Sequence, residues 1–384
     1  MIKILSVIVL LSASIFAQSF DEFLNNALKN SPYLKSNNLN INQAKEEGSR
    51  LLRYENPSLR IKYSRFEDGE ADGNGYKLEY SQALRLPGVG HAKEMLSQSL
   101  SKSAKASYAL EKSQLRRNIS LEYIKYSQMK TLEKLGEERL FLAQTLYSFT
   151  EKKYEEGTIS RGKMLASKLE YEMLHINMEK LKYETIQSYF SLLSMAGVKE
   201  EVELSLGHNF VLTTTSTPNV EIDYLQSQKD KALDVANVAS NTIESIELYG
   251  EYEKEPVEKV MSLGVKIPLV IFNDKSQERR IAKLEVEKQD YLIENEIAKI
   301  NLELIKLGKQ RVLLQNVKTK NENLIKSLSE MLLMFEDAYA IAKVNLLEVQ
   351  DIKAKILTVK SNLLETQTKL DQNIIMSNYL EGSL

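Results

Sequence analysis

The chain has 384 residues with a formal net charge of −2, and 27% of its residues are charged and 43% hydrophobic. This balance excludes a disordered chain and a polytopic helical membrane protein, and the charge gives no support for nucleic-acid binding. The absence of Cys excludes disulfides, thiolate metal sites and a lipidated Cys, while only six Pro and 15 Gly favour long uninterrupted elements.

The first residues have the pattern of a secretory signal peptide. Lys3 is followed by an apolar run from Ile4 to Leu11, and small residues then lead to Ala17. This order predicts a signal peptide over residues 1–17 that is removed from the mature protein. The run is too short for a membrane anchor, since a spanning helix needs about 20 apolar residues. No later segment reaches that length, so a closed β-barrel is the only form in which the mature chain would cross a bilayer.

Alternating apolar and polar residues predict four strands, at about 58–66, 76–86, 243–253 and 257–267. One interpretation is an antiparallel sheet in a soluble α+β protein, with its apolar face packed on helices. The other is a membrane barrel, in which apolar and Tyr side chains face lipid and charged side chains face water. The strands have about the 9–11 residues that a tilted strand needs to cross a bilayer, which favours the barrel.

Four strands do not close a barrel, and open strand edges are not tolerated in lipid. Several copies must therefore each contribute four strands. A three-fold ring gives twelve, an even number within the range of known barrels.

Two sequence landmarks recur at one offset. Ser81–Gly88 resembles Ser262–Leu269, and Tyr154–Ser160 resembles Phe335–Ile341. Both offsets are 181 residues (262 minus 81, and 335 minus 154). Since self-similarity at a fixed offset marks repeated architecture, we expect a tandem duplication. Its expected parts are a first structural repeat at 18–200, a connecting equatorial segment at 201–221 and a second structural repeat at 222–384.

Long proline-free intervals follow Pro87 and Pro268. Their apolar residues recur at spacings of three and four, as in coiled coils, and the remaining positions are mostly Glu, Lys, Gln, Ser and Asn. A helix of about 70 residues is ~100 Å long at 1.5 Å per residue. Each repeat thus predicts a helical hairpin, turning at YEEGTIS in the first and at FEDAYAIAK in the second. The predicted long helices cover about 89–156, 161–196, 273–337 and 345–380.

In this order and at this spacing, three motifs resemble the TolC-type family of outer-membrane efflux proteins, over nearly the whole mature length. They are AxxNSPxL at 27–34, SQxLxLPG at 81–88 and YEEGTIS at 154–160. The family implies a trimer, whose twelve strands form an outer-membrane barrel and whose coiled coils form a periplasmic α-helical tunnel. The junction LRLPG at 84–88 is similar to that of the branch serving heavy-metal and cation exporters. Ala338 departs from the family, because the second tip usually has Gly there, and predicts a looser or longer turn.

Pro87, Gly88 and Pro268 are the predicted strand-to-helix junctions. Pro cannot donate to a continuing strand ladder, and its missing N–H costs nothing in the first turn of a helix. The alternative is an ordinary turn proline, but the recurrence at one offset favours a joint between sheet and helix.

The resemblance implies a pore constriction just after the second tip. Asn345 and Glu348 are i, i+3 neighbours on one helix face, and a ring of carboxylates from three copies selects cations. The alternative is that Glu348 is a solvated surface charge. Lys163 holds the comparable place in the first repeat and is predicted to pair with Glu348 in the closed state.

The tip loops 157–160 and 339–342 are the expected contacts for a periplasmic adaptor. The residues assigned to this contact are Gly157, Thr158, Ile159, Ser160, Tyr339, Ala340 and Ile341. Outward-facing tyrosines on the strands are candidates for an aromatic girdle at the membrane interface, with ordinary strand-face packing as the alternative. They are Tyr63, Tyr76, Tyr80 and Tyr252.

Catalytic and cofactor patterns are missing from the sequence. His91, His175 and His208 lack metal-ligand spacing, and there is no phosphate-binding loop, dinucleotide fingerprint or nucleophile elbow. The chain is therefore expected not to be an enzyme and to need no cofactor or metal.

The expected function is a passive exit duct of a tripartite efflux or secretion system in the outer membrane, extending into the periplasm. Its expected partners are two further copies of the chain, a periplasmic adaptor, an inner-membrane pump of the RND type and outer-membrane lipid. The alternative is a secreted or periplasmic coiled-coil structural protein, which has no use for amphipathic hairpins. The duplication and the scarcity of Gly disfavour a third interpretation, the adaptor itself.

Overall fold

The computed structural model describes residues 17–67, 72–213, 218–341 and 343–384, so that the predicted signal peptide, apart from Ala17, lies outside the described residues. The chain forms two compact units. The helical unit consists of Met1–Pro32, Lys112–Thr217 and Asn301–Leu384, and the sheet unit consists of Tyr33–Glu111 and Pro218–Ile300.

Seven helices and four strands make up the described residues. In chain order they are α1 (Phe20–Asn30), α2 (Pro32–Leu52), β1 (Ser58–Phe66), β2 (Gly73–Arg85), α3 (Pro87–Glu155), α4 (Arg161–Ala196), α5 (Val220–Ser240), β3 (Ser245–Lys254), β4 (Lys259–Lys266), α6 (Ser276–Ala340) and α7 (Leu346–Leu380). The chain is mainly helical with four antiparallel strands, which confirms the predicted helical character and the predicted strands. The bounds of the strands and long helices differ from the expected ones by at most three residues, whereas sequence patterns gave no bounds for α1, α2 and α5.

The sheet is antiparallel with the order β1-β2-β3-β4, so β1 and β4 are its edges. Its register places Ile61 opposite Leu78, Leu78 opposite Tyr252, and Tyr252 opposite Met261. Because side chains alternate between the two faces of a strand, this register aligns the apolar positions of all four strands on one face.

Small and apolar residues form the contacts among the helices of the sheet unit. Gly48 on α2 faces Ser97 on α3, and an added Cβ at residue 48 would clash with the Ser97 Oγ atom. An alanine at residue 48 would therefore require Ser97 to shift. The buried apolar residues of the helices in this unit include Leu34, Ala44, Val89, Ala92, Leu96, Ala232 and Ala282.

The helical unit has an aromatic and aliphatic core at the start of α1. Ser19 caps this helix in a reciprocal capping box with Glu22. The Tyr123 side chain is almost fully buried, and its hydroxyl donates to the carbonyl oxygen of Ser205 at 2.7 Å. The core residues are Phe20, Phe23, Leu24, Ala27, Ile119, Tyr123, Leu192, Leu193, Ala196 and Leu204.

An extended segment at 201–213 is held on the helical unit by side chains that bond to its backbone. The Tyr189 hydroxyl bonds to both the N–H and the carbonyl oxygen of Val202, at 2.9 and 2.8 Å. The Asn378 carboxamide accepts from the Thr213 N–H at 2.9 Å and donates to the Val211 carbonyl oxygen at 2.8 Å. These bonds satisfy backbone N–H and carbonyl groups of a segment whose strand pairing, among the described residues, is limited to one bridge, between Leu204 and Gln18.

The second hairpin turns four residues later than the 181-residue offset predicts. β2 and β4 end at Arg85 and Lys266, which are 181 residues apart, but α4 and α7 begin at Arg161 and Leu346, which are 185 apart. The similarity between YEEGTIS and FEDAYAI therefore does not mark equivalent positions, since most of FEDAYAI lies inside α6. Four residues are close to one helical turn of about 3.6 residues, so the insertion nearly preserves the face that the helix presents.

Both hairpins turn over five residues, at 156–160 and at 341–345. The prediction of a longer second turn was therefore wrong. Counted back from the start of α7, the residue equivalent to Gly157 is Ala342, which lies outside the described residues, and Ala338 belongs to the last turn of α6.

Candidate functional site

One face of the sheet carries a network of charged side chains. Glu79 on β2 is buried, and its carboxylate oxygens lie 2.8 Å from the Lys266 Nζ atom and 3.3 Å from the Arg60 Nη1 atom. Lys266 also lies 3.4 Å from Glu247. The network thus joins β1, β2, β3 and β4, and the buried carboxylate has two cationic partners, without which its burial would be strongly unfavourable.

A second group of charges continues along the same face. The Lys77 Nζ atom lies 2.5 Å from Glu251 and 3.6 Å from Glu253. Its side chain is only 26% exposed. The sequence predicted this face to be polar but did not predict its pairings, because these depend on the register between β2 and β3.

The opposite face of the sheet is apolar and exposed. Ile61 is 70% exposed and Leu263 is 91% exposed, and Leu78, Leu248, Met261 and Val265 are exposed as well. A buried carboxylate on one face and exposed large apolar side chains on the other reverse the arrangement of a sheet in water. The soluble α+β interpretation expects helices on this face, and the exposure of its described residues is contrary to that.

Three of the four girdle candidates lie near one end of the sheet. Tyr63 pairs with Tyr76 across β1 and β2, and the Tyr76 and Tyr252 rings lie 6.1 Å apart. The Lys254 Nζ atom lies 5.7 Å from the Tyr76 ring centroid. Tyr80 is placed further along β2, opposite Leu59 and Gly250. Tyr63, Tyr76 and Tyr252 thus form an aromatic cluster at the end of the sheet where the strands of each hairpin are joined.

Pro87 is the first residue of α3, two residues after β2 ends. Arg85, the last residue of β2, donates from its guanidinium to the carbonyl oxygens of Leu51, Leu52 and Arg53 at 2.5–3.3 Å. It therefore satisfies carbonyl groups at the C-terminal end of α2, which have no partner within that helix. Gly88 is the second residue of α3.

Pro268 does not begin a helix. β4 ends at Lys266 and α6 begins at Ser276. The intervening residues include Asn273 and Asp274, whose side chains accept from the N–H groups of Lys275 and Ser276 at 3.1 and 2.9 Å. Such local bonds compete with helix formation and delay its start.

Glu244 connects the two junctions, a role that the sequence did not reveal. Its carboxylate oxygens lie 2.5 Å from the Lys275 Nζ atom and 2.9 Å from the Lys93 Nζ atom. The hydrogen bonds from Lys275 and then Lys93 lower the pKa of the Glu244 carboxyl below its usual value. Lys275 has a left-handed backbone conformation (φ 58°), which is unfavourable for a residue with a side chain.

The first tip turn is defined by backbone and side-chain bonds. Gly157 has a φ of 72°, where glycine carries no steric cost. The N–H and the hydroxyl of Thr158 both donate to the Lys153 carbonyl oxygen, at 2.9 and 2.8 Å. Ile159 follows, and Ser160 is the N-cap position of α4.

The second tip turn includes only one of the three residues predicted there. Tyr339 and Ala340 belong to the last turn of α6, and Ile341 is the first residue of the turn. Tyr339 and Ile341 are both exposed. Contact of either tip with an adaptor stays a prediction.

Asn345 and Glu348 are brought together at the start of α7. Asn345 is the N-cap, and its side-chain oxygen accepts from the Glu348 N–H at 3.1 Å. Its Nδ2 atom donates to the Glu348 Oε1 atom at 3.2 Å. Lys163 is the third residue of α4, as Glu348 is of α7, and among the described residues no ion pair joins the two. The local structure thus gives Asn345 and Glu348 a capping role, and their place in a pore stays a prediction.

The histidines lie apart from one another. His91 and His175 are exposed, and the His208 ring packs against the Phe20 and Phe210 rings, with centroid distances of 4.7 and 4.6 Å. The described ranges contain no group of three or more His, Cys, Asp or Glu side chains placed to hold a metal ion.

Within the residues that the structure covers, no helix has the length and apolar character needed to span a membrane.

The sequence matches no protein-family model and no curated protein. Solved structures do match. The CmeC outer membrane channel of Campylobacter jejuni superposes with a TM-score of 0.76 at 14% identity, over 94% of this chain and 85% of CmeC. The outer membrane protein VceC of Vibrio cholerae gives a TM-score of 0.73 at 13% identity, over 94% of this chain and 95% of VceC.

The MtrE outer membrane channel of Neisseria gonorrhoeae, solved in its open state, gives a TM-score of 0.69 at 14% identity, over 94% of this chain and 88% of MtrE. The chain therefore has the fold of the TolC-type outer-membrane channels, as the motifs indicated.

Proposed function

We propose that this chain is an outer-membrane exit duct that extends into the periplasm and serves a tripartite efflux or secretion system. The observation that carries the proposal is the sheet with an exposed apolar face and, on its other face, a charged network around the buried Glu79 carboxylate. Such a sheet fits a wall between lipid and a water-filled lumen. The likeness in fold to CmeC, VceC and MtrE, each described as an outer membrane protein or channel, supports the same location.

A trimer follows from the strand count. Each copy supplies the four strands of one sheet, whose edges β1 and β4 have unpaired backbone groups. Edges of this kind are unfavourable in lipid, and pairing β4 of one copy with β1 of the next removes them. Three copies give twelve strands. The repeated order of helix, strand, strand, long helix and helix supports two structural repeats at 18–200 and 222–384, joined by 201–221.

The duct is passive in this proposal. An inner-membrane pump of the RND type supplies the energy, and a periplasmic adaptor meets the tip turns at 156–160 and 341–345. The junction at 84–88 supports the narrower proposal that the pump belongs to the heavy-metal and cation branch. A strain lacking the chain would then lose tolerance to metal salts more than to organic antibiotics, and the reverse result would contradict the assignment.

The first test is the mass of the detergent-extracted protein by light scattering. A trimer from the membrane fraction supports the duct. A monomer or dimer that never enters that fraction contradicts it and supports the alternative, a secreted or periplasmic coiled-coil structural protein.

The second test concerns the proposed constriction of Asn345, Glu348 and Lys163. Glu348→Gln removes the charge and keeps an oxygen that can accept from Asn345, so the cap is retained. We expect the single-channel cation selectivity to fall. Glu365→Gln on the same helix is the matched control, because it removes an exposed carboxylate that pairs with Lys369 one turn away. Equal selectivity in the two variants would remove Glu348 from the pore lining.

A further inference from the structure

We propose that Ile267–Phe272, the apolar extension, inserts into lipid at the membrane–water interface and anchors the junction between sheet and helix. The proposal rests on the proposed function, because it requires that the neighbouring sheet lies in a bilayer. It assigns a lipid contact to a segment outside the paired strands.

The apolar alternation of β4 continues past the end of the strand. Met261, Leu263 and Val265 lie on the apolar face of β4, whose last paired residue is Lys266. Ile267, Leu269 and Ile271 then repeat the pattern without a strand partner, and each is exposed. The exposed apolar surface of the sheet therefore has a covalent continuation of the same spacing and chemistry.

The first junction has no such segment. α3 begins two residues after β2 ends, whereas α6 begins ten residues after β4 ends. Pairing with a neighbouring strand does not explain the extra length, because Pro268 has no N–H to donate to a ladder. Lipid fits as the environment of this segment, because acyl chains contact apolar side chains without any need for hydrogen bonds.

A polar boundary immediately follows the apolar extension. Phe272 is 101% exposed, and the next three residues are Asn273, Asp274 and Lys275. Lys275 is fixed to Glu244 at 2.5 Å and to the Asn241 carbonyl oxygen at 3.1 Å. The end of the extension is thus tethered to the body of the sheet unit.

This order of side chains matches a bilayer interface. Apolar and aromatic side chains enter the boundary between headgroups and acyl chains, while charged groups remain in water. Exposed to water, the same contiguous surface would be an aggregation hazard. Phe272, at the change from apolar to polar sequence, is placed to reach the boundary itself.

The absence of Trp from the chain gives a direct test. Phe272→Trp creates a single fluorophore in the full-length mature chain, reconstituted in vesicles of phosphatidylethanolamine and phosphatidylglycerol with bromine at defined acyl positions. We expect emission at shorter wavelength than that of Trp in water, with the strongest quenching by bromines near the headgroups.

Two matched single-Trp variants calibrate the result. Leu78→Trp lies on the apolar face of the central strand β2 and is expected to be quenched by deeper bromines. Phe141→Trp replaces an exposed residue of α3 in the helical unit and is expected to be unquenched.

The outcomes separate the inference from the proposed function. Quenching of Leu78→Trp without quenching of Phe272→Trp would overturn the lipid anchor and leave the duct intact. Short-wavelength emission of Phe272→Trp without quenching would show that another copy of the chain covers the segment, which also overturns the proposal. If neither variant is quenched, the sheet is not in the bilayer, and the proposed function fails together with the inference.

Discussion

Ile61→Arg places a charge on the exposed apolar face of the sheet and distinguishes lipid from water on that face. Ile61 is the fourth of the nine residues of β1 and lies opposite Leu78. It is therefore near the middle of the strand, where a lipid-facing charge has its largest effect. The side chain is already 70% exposed, so the substitution creates no cavity and breaks no core contact.

The two interpretations of the sheet predict very different magnitudes. Arg on the lipid face of a barrel near the bilayer midplane costs about 2–4 kcal/mol, which is roughly a thirty- to seven-hundred-fold change in the folding equilibrium per copy. Three copies in a trimer multiply the free-energy cost by about three. On a water-exposed surface the same substitution changes stability by less than about 0.5 kcal/mol.

Urea titration of folding into phospholipid vesicles measures the difference. Ser64→Arg is the control, because it adds the same side chain to the polar face of the same strand, opposite Gly75. We expect Ile61→Arg to lower the urea midpoint strongly and Ser64→Arg to leave it nearly unchanged. Equal midpoints for the two variants would refute the assignment of the apolar face to lipid.

Two further substitutions test local contacts. Gly264→Ala should lower the melting temperature of the folded channel, because a Cβ at that position would collide with the Tyr249 ring. The collision would displace this ring from Lys266, whose Nζ atom lies 4.8 Å from the ring centroid. Gly250→Ala is the milder control, because its added Cβ would lie 3.3 Å from the Leu263 side chain. Burial raises the pKa of the Asp371 carboxyl, against an opposing hydrogen bond from Gln367. A carboxyl with a raised folded-state pKa contributes stability at pH values below its ordinary pKa of 3.8, and this contribution is lost as the pH rises through the folded-state pKa. Asp371→Asn should therefore raise the melting temperature at neutral pH and have little effect in acid. A difference in melting temperature that does not depend on pH would contradict this.

The periodicity of side chains made the long helices and the strands predictable, because each element has one apolar and one polar side. The alternation of Tyr76, Leu78 and Tyr80 with Lys77 and Glu79 assigned faces to β2 correctly. It did not reveal which charges pair. The ion pair between Glu79 and Lys266 spans β3, so it depends on the register of three strands, and no local pattern in the sequence encodes that register.

The turns were less predictable because, where a helix is longer in one repeat, segments that are similar in sequence no longer occupy equivalent places in the structure. FEDAYAI resembles the first tip motif yet remains helical until Ala340, since it contains no glycine that would end α6 there. Pro268 likewise follows its strand as Pro87 does, but the side chains of Asn273 and Asp274 delay the helix that comes next. In the second case the deciding interactions lie several residues beyond the motif.

The two tips have turns of equal length but different caps, and this difference predicts unequal local stability. The Asn345 side chain caps α7, whereas the Ser160 side chain makes no capping bond at the start of α4. Loss of an N-cap bond costs about 1 kcal/mol, which corresponds to about a fivefold change in local opening.

Hydrogen exchange followed by mass spectrometry on the isolated channel should therefore show faster exchange in the first turn of α4 than in that of α7. Asn345→Ala should accelerate exchange in the first turn of α7, whereas Asn345→Ser, which retains a side-chain acceptor, should have a smaller effect. Ser160→Asp should slow exchange in α4, because a carboxylate at the N-cap accepts from N–H groups of the first turn and interacts favourably with the helix dipole. If Asn345→Ala left exchange in α7 unchanged, the cap would not be what holds that turn. Contacts between copies of the chain would then have to stabilise the tip, and the asymmetry between the two hairpins would lie in the assembly rather than in the residues at their caps.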